Sequence, residues 1–422
     1  MTEEFLHYIW QFRLLNNNLQ TDDGDPLTVL HPGFHNTDGG PDFFNSRIRI
    51  GSTVWAGNVE IHINASDWFR HKHHKDKAYD NVILHVVFVN DLQVFDRNQK
   101  QVPTLTVNGC FTETIYERYK DFLNNRSWIP CEQSVRSVPE IDIDQWLSAL
   151  AVERMEQKTV QVRRSWEECN FDWEEAFYHN LLRVFGFKIN AQPFELLAKS
   201  LPHKILLKHR DNLFQVEALL FGQARMLEDE LSEEYPLKLK EEYQFLRHKY
   251  SLVPIDGGLW KFMRLRPSNF PSIRIAQLST LISKTDQLFS TLLEVNNAGQ
   301  LQELFSVTAS GFWDDHFLFG KTSPHRPKIM GAYSIRLVIL NLVIPFLFFY
   351  GSEKGINEYK DRGMLMLENL PGEINAELDH WKKLGMPVAN TMSTQALIQL
   401  KTNYCDNKRC LECRIGNKLL VS

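Results

Sequence analysis

The segment Asn58-Val59-Glu60-Ile61-His62-Ile63 alternates apolar and chemically active side chains. On a β-strand such alternation sends Val59, Ile61 and Ile63 to one face and Glu60 with His62 to the other. A preceding strand that opens at Asp42, after Gly39-Gly40-Pro41, and turns at Gly51-Ser52 would lay Asp42 across from residues 60–62. Two carboxylates meeting there suit Mg²⁺ or Mn²⁺, which prefer oxygen ligands. In this reading Asp42 and Glu60 hold the ion, and His62 takes a proton from water near neutral pH. Seven of the 15 histidines crowd between residues 31 and 85: His31, His35, His62, His71, His73, His74 and His85. That crowding supports a second ligand set, in which His62, His85 or the 71–74 cluster binds Zn²⁺ through nitrogen. The stretch Asp67 to Lys77 is cationic, and Arg70, Lys72, His74 and Lys75 are its candidate phosphate contacts.

A second cluster closes the sequence. Cys405, Cys410 and Cys413 give the spacing Cys-x4-Cys-x2-Cys, and three thiols so close can wrap one soft metal, Zn²⁺ or an iron–sulfur cluster. Either centre normally takes four ligands, and Cys131, in Ile129-Pro130-Cys131-Glu132, is the first candidate for the fourth. Cys110 and Cys169 read as small buried side chains. In the long middle region the most site-like stretch runs from Arg264 to Arg274, with three arginines in a proline-bounded loop ahead of a helix. Arginine suits phosphate contact, although pairing with helix carboxylates would explain the same residues.

These side chains need elements to position them. The pattern predicts a helix over 3–14, a short extended run over 27–30, a Gly- and Pro-rich loop over 31–42, and a hairpin of Phe43–Ile50 with Thr53–Ile63. A helix over 67–79 follows, capped by Ser66, then a buried strand over 82–89 and two more strands near 92–95 and 103–107. From about Phe111 the periodicity turns helical and stays so to about residue 404, with helices over 143–164, 174–185, 212–229 and 333–350. The fold class is therefore α+β: an α/β domain over 1–110, a helical domain over 111–400 and a Cys-rich tail over 401–422.

The order helix, three strands, helix, strand, with Pro41-Asp42 and Glu60-Ile61-His62, resembles the PD-(D/E)XK phosphodiesterase superfamily over roughly residues 3–90. The resemblance implies a restriction-endonuclease-like mixed sheet with flanking helices. It also implies a divalent-metal-dependent nuclease acting on DNA or RNA. His62 stands where that superfamily carries a lysine thought to activate the attacking water, so the resemblance equally allows a degenerate module that binds nucleic acid or protein without catalysis. The cysteine tail resembles that of RecB-type nucleases, in which distant cysteines staple the nuclease domain, although the spacing differs. As a whole the chain resembles an uncharacterised bacterial family, domain of unknown function 2851, on Trp55-Ala56-Gly57-Asn58-Val59-Glu60-Ile61-His62 and Cys410-Leu411-Glu412-Cys413.

Composition narrows the classes. A hydrophobic fraction of 43% and a charged fraction of 23% describe a folded globular chain. The net charge is −5, and residues 1–110 carry 9 Lys and Arg against 13 Asp and Glu. That argues against a protein whose role is to coat nucleic acid, since phosphate contacts need clustered cations. The acidic start Met1-Thr2-Glu3-Glu4 lacks the features of a secretion signal, and the most apolar run, Leu337 to Tyr350, is short for a bilayer. A cytoplasmic protein without a membrane partner is expected, its thiols reduced or metal-bound.

Overall fold

The computed structural model describes residues 1–422 apart from 229, 230, 286 and 296. Residues 1–146 and 400–422 form one unit, and residues 147–399 form a second. The sheet of the first unit is built from β1 (Leu19–Gln20), β2 (Pro26–His31), β3 (Phe34–His35), β4 (Phe43–Ile50), β5 (Thr53–Asn64), β6 (Val82–Val89) and β7 (Thr104–Thr106). The strand order is β1-β2-β4-β5-β6-β7, with β3 paired to β4. Pairing is antiparallel up to β5, then parallel from β5 to β6 and from β6 to β7. The sheet is therefore mixed, and the parallel β5–β6 step requires a crossover segment.

One face of this sheet is covered by α1 (Glu3–Gln11), which opens on Thr2 Oγ1 accepting the Phe5 N–H at 3.3 Å. Helical spacing brings Phe5, Leu6, Ile9 and Trp10 into one core with Val59, Ile61, Leu84 and Val86 from the strands. α3 (Glu113–Asn124) adds Ile115 and Tyr119 to the same core, and the tail adds Leu411 and Leu420. The first unit therefore continues past residue 110, and the last residues belong to it. The boundary expected at 110 marked the end of strand patterning, while the apolar face of α3 is what closes the core. On the other face, Trp68, Tyr79, Val87, Val94 and Val102 form a smaller core beneath the crossover.

The crossover differs most from expectation. In place of one helix over 67–79, α2 covers only Asp67–Arg70, and two 3₁₀ turns follow at His73–Lys75 and Lys77–Tyr79. Lys72 adopts the left-handed conformation, with φ 65°, and ends the helix there. Near residues 92–95 the expected strand is reduced to one bridge between Phe95 and Gln101.

The second unit is helical apart from a ribbon of His316–Leu318 with Lys321–Thr322. The helix expected over 174–185 runs from Trp173 to Phe185. That over 143–164 lies within Glu140–Glu168, which carries the division between the units. The helix expected over 212–229 is Leu213–Gln223, and Asp229 lies outside the described residues. Around Leu337–Tyr350 the chain is helical from Ala332 to Lys354, with a π-helical segment at Ile339–Val343. This helix is long and apolar enough to cross a membrane by length and composition alone, but 67% of its most apolar window is buried within the protein.

Candidate metal centre

The hairpin places Glu60 and His62 as alternation requires, and both are buried, at 4% and 2% exposure. They face the crossover, not solvent. Phe43 pairs with Val59, and a bulge follows between Phe43 and Ser46. Asp42 thus lies beside Glu60: its N–H donates to Glu60 Oε2 at 3.2 Å, and its Oδ2 accepts the Ile61 N–H at 2.8 Å. Gly57 permits the neighbouring approach of the chain, because a Cβ there would meet Ile83 Cγ2 at 2.4 Å and the Asn81 carbonyl oxygen at 2.7 Å.

The turn at Lys72 bends the chain back so that His71 and His73 both reach the face that carries His62. Ligand atoms of His62, His71 and His73 all lie within 4.8 Å of one another. His62 Nε2 is 3.2 Å from His71 Nδ1 and 3.4 Å from Glu60 Oε1, and His73 Nε2 is 3.1 Å from the same Glu60 oxygen. The His73 contact is short, yet His73 Nε2 is buried without a hydrogen-bond partner, because the alignment is wrong for one. Donors held at ~2.0–2.1 Å from one ion at tetrahedral angles stand roughly 3.3 Å apart. The three histidines group as ligands of one ion would, and Glu60 stands at that spacing from two of them, His62 and His73. Behind them, His62 Nδ1 lies 2.8 Å from His85 Nε2. With Nε2 directed at the cluster, the proton on Nδ1 is given to His85, which fixes the ring.

The electrostatics agree with the geometry. Burial first, then the charge of Asp42, pushes the Glu60 carboxyl up to about 9. Burial and the neighbouring imidazoles push His62 down to about 2, and burial with His73 lowers His85 to about 3. Burial also lowers His73, which stacks on Tyr79 with ring centroids 3.8 Å apart. Glu60 thus keeps its proton while His62, His73 and His85 stay neutral, and a cation among them would take the place of that proton.

His7, on α1, was not foreseen. Its Nε2 lies 3.3 Å from Asp42 Oδ2, and although burial lowers it, the bond and charge of Asp42 leave it raised overall. His7 and His35, their rings 5.2 Å apart, line a cleft of about 480 Å³. The opposite wall is Asn407, Lys408, Arg409, Leu411 and Glu412 from the cysteine tail. No sequence signal marks His7, which sits in an ordinary amphipathic helix.

Arg70, Lys72, His74 and Lys75 do not line this cleft. Arg70 pairs with Asp67 at 2.7 Å, His74 packs on Phe69 with ring centroids 5.0 Å apart, and Lys72 and Lys75 are exposed. The cations of the cleft wall are Lys408 and Arg409.

All four cysteines singled out lie in the first unit, and their thiols act on one another. Burial, then Cys413 and Cys410, pushes Cys131 up to about 12; burial, then Cys413, Cys131 and Cys410, raises Cys405 further. Cys410 is pushed up to about 12 by burial and Cys413. Burial also raises Cys413, while the N–H groups of Ile415 and Gly416 and the Trp146 side chain work against it. Cys413 precedes the helix Arg414–Val421, and Gly416 lets that helix press on the loop: a Cβ there would stand 2.2 Å from the Cys410 carbonyl oxygen.

A mixed sheet with a helix on one face and a buried histidine–carboxylate cluster under its crossover defines an α/β unit with a candidate metal centre. The chain belongs to the family described as protein of unknown function (DUF2851), whose model matches residues 3–376. No curated protein and no solved structure matches it.

Proposed function

We propose that the first unit is a metal-dependent hydrolase of phosphodiesters, with His62, His71, His73 and Glu60 as ligands of a Zn²⁺-class ion. The observation that carries this reading is the grouping of the His62, His71 and His73 ligand atoms within 4.8 Å of one another, with Glu60 Oε1 3.4 Å from His62 and 3.1 Å from His73, the last contact unaligned for hydrogen bonding. Three nitrogens and one carboxylate suit Zn²⁺ better than Mg²⁺. The two-carboxylate site expected of Asp42 and Glu60 has less support, because Asp42 Oδ2 is engaged by the Ile61 N–H and His7. Such an ion polarises a phosphoryl oxygen and lowers the pKa of water. His7, 3.3 Å from Asp42, would be the group to donate or accept the proton. Support for a phosphodiester comes from Lys408, whose Nζ also donates to the Leu123 carbonyl oxygen, and from Arg409, which a phosphate would share with Glu412. The succession α1, β2, β4, β5, α2, β6 adds to it, following the order of the PD-(D/E)XK resemblance. DNA and RNA are the substrates to test.

We further propose that Cys131, Cys405, Cys410 and Cys413 bind a second metal, zinc or an iron–sulfur cluster, which holds the loop 405–413 as the cleft wall. Support comes from the mutual electrostatic influence of the four thiols, those of Cys410 and Cys413 on buried residues and those of Cys131 and Cys405 on half-buried ones, and from the N–H donors at the Cys413 sulfur. One experiment addresses both centres: metal analysis of the purified protein, with cleavage assays on single- and double-stranded DNA and RNA and on bis(p-nitrophenyl) phosphate. Wild type should carry two metal sites. Glu60→Gln should lose the first metal and at least about 100-fold in rate, and Cys413→Ser should lose the second, including any visible iron–sulfur absorbance. Stoichiometric zinc at the histidines with no cleavage of any substrate would leave a metal-binding module in place of a hydrolase. Absence of metal from the histidines under zinc saturation would remove the reading altogether.

A further inference from the structure

The second unit contains a buried cation that, among the described residues, no carboxylate neutralises. Arg274, in the first turn of the helix Pro271–Lys284, is 3% exposed. Its Nη1 donates to Gln277 Oε1 at 2.9 Å, and its Nη2 donates to Asn269 Oδ1 at 2.6 Å and Ser334 Oγ at 2.8 Å. Every one of these acceptors is neutral. Its Nε is buried without a partner, and the guanidinium lies over the Phe187 ring, 4.7 Å from the centroid. Burial alone pushes Arg274 down to about 10, and no acidic side chain among the described residues acts in return. The carboxylate pairing that would make these arginines merely structural is therefore missing at Arg274.

Arg274 lines a cavity of about 430 Å³ together with Asn269, Gln277, Arg326, Lys328 and Ser334. Lys328 is 6% exposed and donates to the carbonyl oxygens of Asp314 and Arg326 at 3.0 and 2.9 Å, while Arg326 is exposed at the rim. Gly331 and Ser334 also line it, so the N-terminus of the helix Ala332–Lys354 opens on the same space. A guanidinium fork, a lysine and the positive end of a long helix share one cavity, and each favours an anion. A buried charge left without a counter-charge is costly, and an incoming oxyanion supplies it.

We propose that this cavity binds the phosphate group of a small ligand, with Arg274 as its buried counter-charge. Phosphate fits better than a carboxylate because Arg274, Arg326 and a helix terminus converge with Lys328, whose charge Asp314 and Asp315 offset only in part. The proposal does not rest on the hydrolase reading, since every residue in it lies in 147–399. The test uses the full-length protein and inorganic phosphate as probe, with sodium chloride of matched ionic strength as control. Phosphate should raise the melting temperature saturably and broaden its own ³¹P resonance. Arg274→Met should abolish both effects, and Arg274→Lys, which keeps the charge but loses the fork, should weaken binding at least about tenfold. Arg326→Ala, at an exposed position that does not threaten folding, should weaken it several-fold. His62→Ala should leave the phosphate response unchanged, which separates this cavity from the metal centre. No saturable response in wild type, or an equal response in Arg326→Ala and Arg274→Lys, overturns the proposal. Acetate acting as strongly as phosphate overturns the phosphate assignment.

Discussion

Glu60 and His62 share one strand face, and burial moves their protonation in opposite directions. The Glu60 carboxyl, raised from 4.5 to about 9, keeps a proton in the fold that the unfolded chain releases. Between those values the folded state binds more protons, so the metal-free protein loses stability as pH rises. His7, raised above 6.5, adds to that loss, because its contribution is complete below 6.5 and disappears as pH passes its folded value. His62 and His85, lowered to about 2 and 3, stay neutral in the fold, and the unfolded chain gains protons below 6.5, so stability also falls on acidification. The metal-free melting temperature should therefore peak near 6.5 and decline toward pH 9. Zinc should cancel the decline, since the ionised carboxylate is then the bound form. Glu60→Gln should flatten it without zinc, leaving the smaller share of His7. Melting curves across this range, with and without zinc, decide the matter, and a flat metal-free profile in wild type would count against a buried acid at Glu60.

At the scale of elements, the left-handed turn at Lys72 sets the histidine cluster. It ends α2 and swings His73 under β5, where the ring meets Glu60 and Tyr79. Lys72→Gly should preserve the turn, keep zinc affinity and stabilise the protein by up to about 1 kcal/mol. Lys72→Val should cost about 1–3 kcal/mol and reduce zinc affinity, because a β-branched residue resists positive φ. Thermal melts paired with zinc titration would show this, and loss of zinc in the glycine variant would mean that the Lys72 side chain itself matters. The hairpin and the face carrying Glu60 and His62 were legible in the sequence, because alternation and the Gly51-Ser52 turn are local signals. The buried strand Val82–Val89 was legible as an unbroken apolar run. The turn at Lys72 was not: no glycine or asparagine marks it, and a helix over 67–79 satisfies local propensity. Contacts of His73 with Trp68, Tyr79 and Glu60, all made across the sheet or the crossover, override that propensity. The histidine cluster was visible as composition, but helical spacing paired His71 with His74, and the fold pairs His71 with His73. His7 lay beyond reach for the same reason, since its partner Asp42 is brought to it only by tertiary packing.

For the whole molecule, the notable fact is that the first unit is assembled from both ends of the described chain, with residues 147–399 between them. Leu420 is fully buried in the core that α1 and the strands form. Leu420→Ala should cost the first unit about 2–5 kcal/mol while leaving the transition of the second unit, residues 147–399, in place. Calorimetry resolving two transitions would test this, and equal lowering of both would mean that the units melt as one. The arrangement also orders events during synthesis. On the ribosome, α1, the sheet and the histidine cluster emerge first, yet Lys408, Arg409 and Glu412, which line the cleft beside His7, emerge only after the whole of 147–399 has been made. A nascent chain therefore carries His7 and His35 for most of its elongation with that cleft still open on one side. The cleft is finished only when residues 407–412 are added, and a chain cut short after the helical region is left without that wall.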